Sequence, residues 1–239
     1  TSITSLLGRN LTKAYLFQAK MPQYRVGSTI LNDAYLAESN LLNLQGDGTT
    51  ARGADMSRSN LETGRLEGSD LTGAIFVGAN LKGATLDYAK LQDANLSGAI
   101  IQNINLSGVT TGGFTGQQLY QTASYQQGVL GSIDLSSNDL SNWNFTEQHM
   151  ENAHFFGAKF ANAVFSNAVV TAADFSESNL APTQLYDTLS YKNRQLGAMQ
   201  LDRTDLSGWN FSDQSMPQAR ITESKLAGAI FDRADLTRV

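Results

Sequence analysis

The chain has 239 residues, with 17 Lys and Arg against 22 Asp and Glu, a net charge of −5 and a sequence pI near 5.0. That balance argues against sequence-independent nucleic-acid binding, and the absence of cysteine removes disulfide frames and thiolate metal sites. No run of eighteen apolar residues offers a membrane span.

Taken from its start, the chain places a bulky apolar residue at every fifth position. The series runs Leu6, Leu11, Leu16, Met21, Val26, Leu31, Leu36 and Leu41, passes Gly46 and Ala51, and goes on from Met56 to Leu106 in one phase. Gly46, Gly48 and Gly53 suggest a looser corner within it. The pattern is cleanest from Ser69 to Leu106: SDLTG AIFVG ANLKG ATLDY AKLQD ANLSG AIIQN INL. Two residues before each core residue stands a small one (Ser69, Ala74, Ala79, Ala84, Ala89, Ala94, Ala99), and Asp or Asn is frequent between them. A period of five matches neither helix nor strand, so short segments must turn and stack on their neighbours.

The motif A(D/N)LXX resembles the pentapeptide-repeat family. That resemblance implies an all-β fold, a right-handed quadrilateral β-helix with four pentapeptides per coil. Over this length it implies a solenoid of about nine to ten coils. It is expected to form one domain over 1–239, with two short helix-containing insertions.

The register breaks twice, so the repeats fall into segments 6–106, 130–180 and 196–236, with insertions at 107–129 and 181–195. The insertions are copies: over 119–155 and 185–221, 17 of 37 residues are identical. Thr115 as a cap and Pro182 in a first turn predict one or two helical turns in each, lying on the outside of the β-helix. After each insertion the small position is enlarged, to Ile133, Asn138, Trp143 and Gln148 and to Met199, Thr204, Trp209 and Gln214. An interior built on Ala cannot take Trp without adjustment. Leu119 and Tyr120 are therefore expected to pack with Trp143, and Leu185 and Tyr186 with Trp209. A fainter echo joins Met21-Pro22-Gln23-Tyr24-Arg25-Val26 to Met216-Pro217-Gln218-Ala219-Arg220-Ile221.

Catalytic chemistry is not visible. His149 and His154 fall on outward positions of adjacent sides, the repeated Asp and Asn residues belong to the motif, and no triad or phosphate loop stands out. The sequons at Asn10, Asn95, Asn105, Asn144 and Asn210 follow from the repeat itself. No catalytic residue, metal, cofactor, small-molecule substrate, nucleic acid or membrane insertion is expected.

Three functions compete. One is a self-assembling structural protein whose terminal coils, with Ile3, Leu6, Leu11, Leu16 and Met21 at one end and Ile221, Leu226, Phe231 and Leu236 at the other, stack on further copies. The second is a DNA-mimicking topoisomerase inhibitor, a role the resemblance brings with it; residues 91–191 hold eight acids and one base, Lys159, but residues 1–110 hold nine of each. The third is a binding module of a larger secreted protein. An extracellular or cell-surface location is expected, with the cytoplasm as alternative. Thr1 in place of Met fits either a trimmed chain or a mature protein whose leader is gone.

Overall fold

The computed structural model describes residues 5–239 and falls into two compact units, Thr1–Gln127 and Gly128–Val239. In the first unit the residue before each core position pairs in parallel with the residue twenty further on. Ser5 pairs with Arg25, Arg25 with Gln45, and the series continues through Arg65 and Thr85 to Asn105. One coil is therefore twenty residues, four pentapeptides on four sides. Each side contributes a single bridging residue rather than a strand, because the turns on either side take up the other residues of its five. Val129 with His149 and Asp134 with His154 begin the same pattern in the second unit.

The turn dictates the motif. The residue three beyond each core position donates its N–H back to the core carbonyl, as Ala14 does to Leu11 at 3.0 Å. The second residue after the core has positive φ, as at Lys13 (59°) and Gly83 (65°), the signature of a type II turn. The Asp or Asn before the core caps this turn. Asn95 Oδ1 accepts from Ser97 N–H at 3.0 Å, and Asp134 from Ser136 at 2.9 Å.

Core and small positions point inward. Leu81, Leu86, Leu91, Leu96 and the alanines between them are buried. Where the small residue carries a hydroxyl it is satisfied by backbone: Thr49 Oγ1 donates to Val26 C=O at 2.9 Å, and Ser39 Oγ to Leu16 C=O at 2.8 Å. The glycines near residue 46 do not loosen the coil, contrary to expectation. Gly46 donates to Arg65 C=O at 2.7 Å, and a Cβ there would meet Leu66 Cδ2 at 2.9 Å, so the neighbouring core closes over it. In the second unit phenylalanines join the leucines of the core. Phe145 stacks on Phe165 at 5.2 Å, Phe155 on Phe175 at 5.0 Å, and Phe211 on Phe231 at 5.1 Å, each pair one coil apart.

Both insertions are helical where Thr115 and Pro182 point: α1 (Gly116–Tyr120) and α2 (Ala123–Gln126) in the first unit, α3 (Pro182–Tyr186) and α4 (Leu189–Lys192) in the second. A 3-10 turn, Val109–Gly112, precedes α1, and its Gly112 lies so close to the coil below that a Cβ would sit 2.4 Å from Ala89 C=O.

They do not lie on the outside. Leu119 and Leu185 are fully buried, and the helices hydrogen-bond to the coil beneath as a regular coil does: Ala123 N–H to Ala99 C=O and Leu189 N–H to Ala168 C=O, both 2.9 Å. Across the second insertion Asp174 pairs with Gln200, a step of 26 where a regular step is 20. The insertion thus lengthens one coil by six residues and stays in the stack. Outside placement would have left the Ala99 and Ala168 carbonyls without these partners.

Leu91→Asp or Leu96→Asp places a carboxylate in this dry interior and is expected to cost several kcal/mol. A thermal melt by circular dichroism checks it, and an unchanged midpoint would contradict the inward register.

Candidate interaction surfaces

Ile3 lies outside the described residues. Leu6, Leu11 and Leu16 are half-buried and Met21 is buried, so the opening coil is covered progressively by the next. At the other end Ile221 and Phe231 are half-buried, while Leu226 and Leu236 are 40 % and 39 % exposed. Interior positions of the same kind are near zero. Among the described residues, the N–H groups of Leu226, Phe231 and Leu236 make no backbone bond, nor do those of Asn10, Tyr15 and Lys20. These are the two edges of the described ladder.

Trp209 is buried and meets the ring of Tyr186 edge-on at 6.4 Å. Sequence reasoning missed the use of the two tyrosines. Tyr191 Oη donates to Asn210 C=O at 2.7 Å, and Asn210 N–H donates to Tyr186 Oη at 2.6 Å. Two hydroxyls thus replace the rung that a regular strand would supply to Asn210. Burial, with Tyr186 beside it, pushes the Tyr191 hydroxyl above its ordinary pKa. Gln184 anchors α3, its Nε2 donating to Phe160 and Ala163 carbonyls at 2.8 and 2.7 Å.

In the first unit Gln118 does the same to Leu91 and Ala94, and Leu119 is buried beside it. Tyr120 and Tyr125 repeat the tyrosine pair with rings 4.8 Å apart. Trp143, in the second unit, is buried against Phe145 at 6.2 Å.

Two open crevices lie beside the insertions. One, about 300 Å³, is lined by Asp93, Asn95, Thr115 and Gln117; the other, about 270 Å³, by Asn162, Asn179, Thr183 and Gln184. A third of about 180 Å³ is lined by Asp174, Gln200, Asp202 and Arg220, with Arg220 paired to Asp202 at 2.7 Å. His149 is exposed, with Nδ1 3.2 Å from Glu151 Oε1. Exposed His154 bridges Asp134 and Asp174 on the rungs to either side. Among the described residues no group of three His, Cys, Asp or Glu is placed to hold a metal ion, and no helix is long and apolar enough to cross a membrane.

The outer faces are laced by ion pairs one coil apart: Glu38 with Arg58 and Asp213 with Arg233, both at 2.7 Å, and Lys225 with Asp205 at 3.5 Å. Hydrogen bonds from Gln18 and Arg58 hold Glu38 below the usual carboxylate range, and Arg233 does the same for Asp213. Burial would raise Asp70, but bonds from Arg52 and Thr72 outweigh it and lower it.

The profile for pentapeptide repeats (8 copies) matches residues 29–68, 65–103, 149–181 and 200–238, more than half of the chain. The chain belongs to the pentapeptide-repeat family. Its fold is that family's right-handed quadrilateral β-helix.

Among solved pentapeptide-repeat structures, HetL of the cyanobacterium Nostoc, a protein involved in heterocyst differentiation regulation, is 25 % identical. It is matched over 97 % of this chain and 84 % of its own, with a TM-score of 0.25. QnrB1, a plasmid-mediated fluoroquinolone resistance protein, is 14 % identical over 83 % of this chain and 91 % of its own (TM-score 0.29). Rfr23 of the cyanobacterium Cyanothece is 23 % identical over 56 % and 88 % (TM-score 0.23). No curated protein sequence matched.

Two outcomes follow for this pentapeptide-repeat chain. Tyr186→Phe and Tyr191→Phe each remove one substitute for a backbone partner at Asn210 and are expected to cost about 1–3 kcal/mol; Trp209→Ala, emptying a buried site, about 3–5 kcal/mol. Denaturant titration reads the cost, and limited proteolysis should cut first near 186–195. Equal resistance in variant and parent would contradict the clamp.

The second outcome concerns acid. The lowered carboxylates contribute stability that is present above their unfolded pKa, near 4, and lost as pH falls through the folded values. Melting temperature should therefore decline below about pH 4. A flat profile down to pH 2 would contradict the cross-coil pairing.

Proposed function

We propose that this pentapeptide-repeat protein is a non-enzymatic structural protein whose coils stack end to end on copies of itself, at the cell surface or outside the cell. The observation that supports this reading is that, among the described residues, the N–H groups of Asn10, Tyr15 and Lys20 and of Leu226, Phe231 and Leu236 have no backbone partner, beside partly exposed core residues of the same regular ladder. An edge of free N–H and C=O groups above an apolar layer is a template for another coil. Little at either edge opposes this, since the core positions Leu6, Leu11 and Leu16 and Ile221, Leu226, Phe231 and Leu236 are all apolar. A head-to-tail contact does not close and grows into a filament, whereas tail-to-tail contact stops at a dimer.

A non-catalytic reading is supported by the charged groups of the third crevice being taken up by each other, Arg220 with Asp202 at 2.7 Å. The DNA-mimicking alternative draws less support, since acids on the regular faces meet cations one coil away.

Phe231→Lys sets an ammonium group at the open edge and is expected to leave monomers where the parent associates with rising concentration, read by light scattering. A parent that stays monomeric at high concentration would contradict the proposal.

A further inference from the structure

Two buried amide oxygens of the second unit, Oε1 of Gln148 and Oε1 of Gln214, accept no hydrogen bond from the described residues. They hold the same place in the duplication, 66 residues apart. We infer that Gln214 Oε1 belongs to an internal hydration site, where a single water molecule is held between the second insertion and the coil that follows it, and that Gln148 Oε1 marks its duplicate. This inference is independent of self-association.

Half of the Gln214 side chain is already explained. Gln214 is 4 % exposed, and its Nε2 donates to Tyr191 C=O, in α4, at 3.1 Å. That contact fixes which end of the amide is which, because a carbonyl only accepts. The same Tyr191 C=O also takes Arg194 N–H at 2.9 Å. Turning the amide over would set two carbonyl oxygens against each other. Oε1 is therefore held in the interior with both lone pairs unused.

A buried acceptor left in that condition costs about 1–3 kcal/mol, and it recurs in both copies. Of the four enlarged positions in each copy, two differ, Ile133 against Met199 and Asn138 against Thr204, while Trp and Gln are the same. The polar residues of the differing pairs are served within the protein. Asn138 Nδ2 donates to Leu135 C=O at 3.0 Å, and Thr204 Oγ1 to Asp202 C=O at 3.2 Å. Only the Gln pair keeps an open acceptor, so a chance defect would have to fall twice on one position.

The surroundings suit water. The insertion lengthens its coil by six residues, and Trp209 and Gln214 stand where an ordinary coil has Ala, so the interior is wider at this level. Buried waters sit on polar groups that the protein itself leaves unsatisfied, with about three hydrogen bonds each. A cation fits less well, because a charge in a dry interior needs a paired counter-charge. Asp213, the acid next to Gln214 in sequence, is instead bound to Arg233 at 2.7 and 2.8 Å.

The test begins with the parent 239-residue chain. A high-resolution crystal structure should show one water at about 2.7–3.2 Å from Gln214 Oε1, and another beside Gln148 Oε1. An ordered Gln214 with no density beside Oε1 would overturn the inference. Density ringed by several oxygens at metal–oxygen distances would overturn it in favour of a cation.

Oxygen-17 magnetic relaxation dispersion then counts the waters held inside the protein in solution. Gln214→Met keeps the unbranched shape but removes Oε1, and should lower that count by about one; adding Gln148→Met should lower it by about two. A folded Gln214→Met variant with the parent's count would contradict the site. Because this variant also loses the bond to Tyr191, the parent crystal decides the matter if it fails to fold.

Discussion

The backbone ladder between coils, repeating every twenty residues, is the constraint on which everything else depends. A single coil of four turns buries one layer of side chains, roughly 2 kcal/mol for each Leu or Phe. Ordering its backbone costs about 1–2 kcal/mol per residue. Only a neighbour that pairs the N–H and C=O groups and covers the layer makes the sum favourable. The ladder therefore fixes the turn type, the size of the inward residues and the alignment of every outer face.

It also explains how irregular sequence is absorbed. The second insertion adds six residues, but they are wound into helical turns whose N–H groups still reach the coil below, and Leu185 still fills a core place. Where helix replaces a bridging residue on the side facing Asn210, tyrosine hydroxyls substitute for the missing peptide. In the same way Gln118 and Gln184 reach the Ala94 and Ala163 carbonyls, which accept no backbone N–H among the described residues.

Much of this was legible in the sequence because the ladder writes a period of five directly into residue size. Leu91, Leu96 and Ala94 could be placed inward from spacing alone. The reason for Asp and Asn before each core residue was not legible as chemistry, since a carboxylate that caps a turn and one that faces solvent look alike in a row of letters. The second helical turns, α2 and α4, carried a signal that went unread, Thr122 and Thr188 as caps. The tyrosine clamp could not be read at all, because Tyr186 and Tyr191 meet Asn210 only after the coil has closed. The two units share these rules but differ in material, the second core carrying more phenylalanine than the first.

Hydrogen exchange, followed by mass spectrometry or NMR over a concentration series, tests most directly whether an open rung is the determinant of behaviour. The account predicts slow exchange at Leu81 and Leu86 at all concentrations. It predicts fast exchange at Leu226, Phe231 and Leu236 and at Asn10, Tyr15 and Lys20 in dilute protein, turning slow at both edges together as concentration rises. Protection that grows on an outer face while both edges stay fast would contradict it.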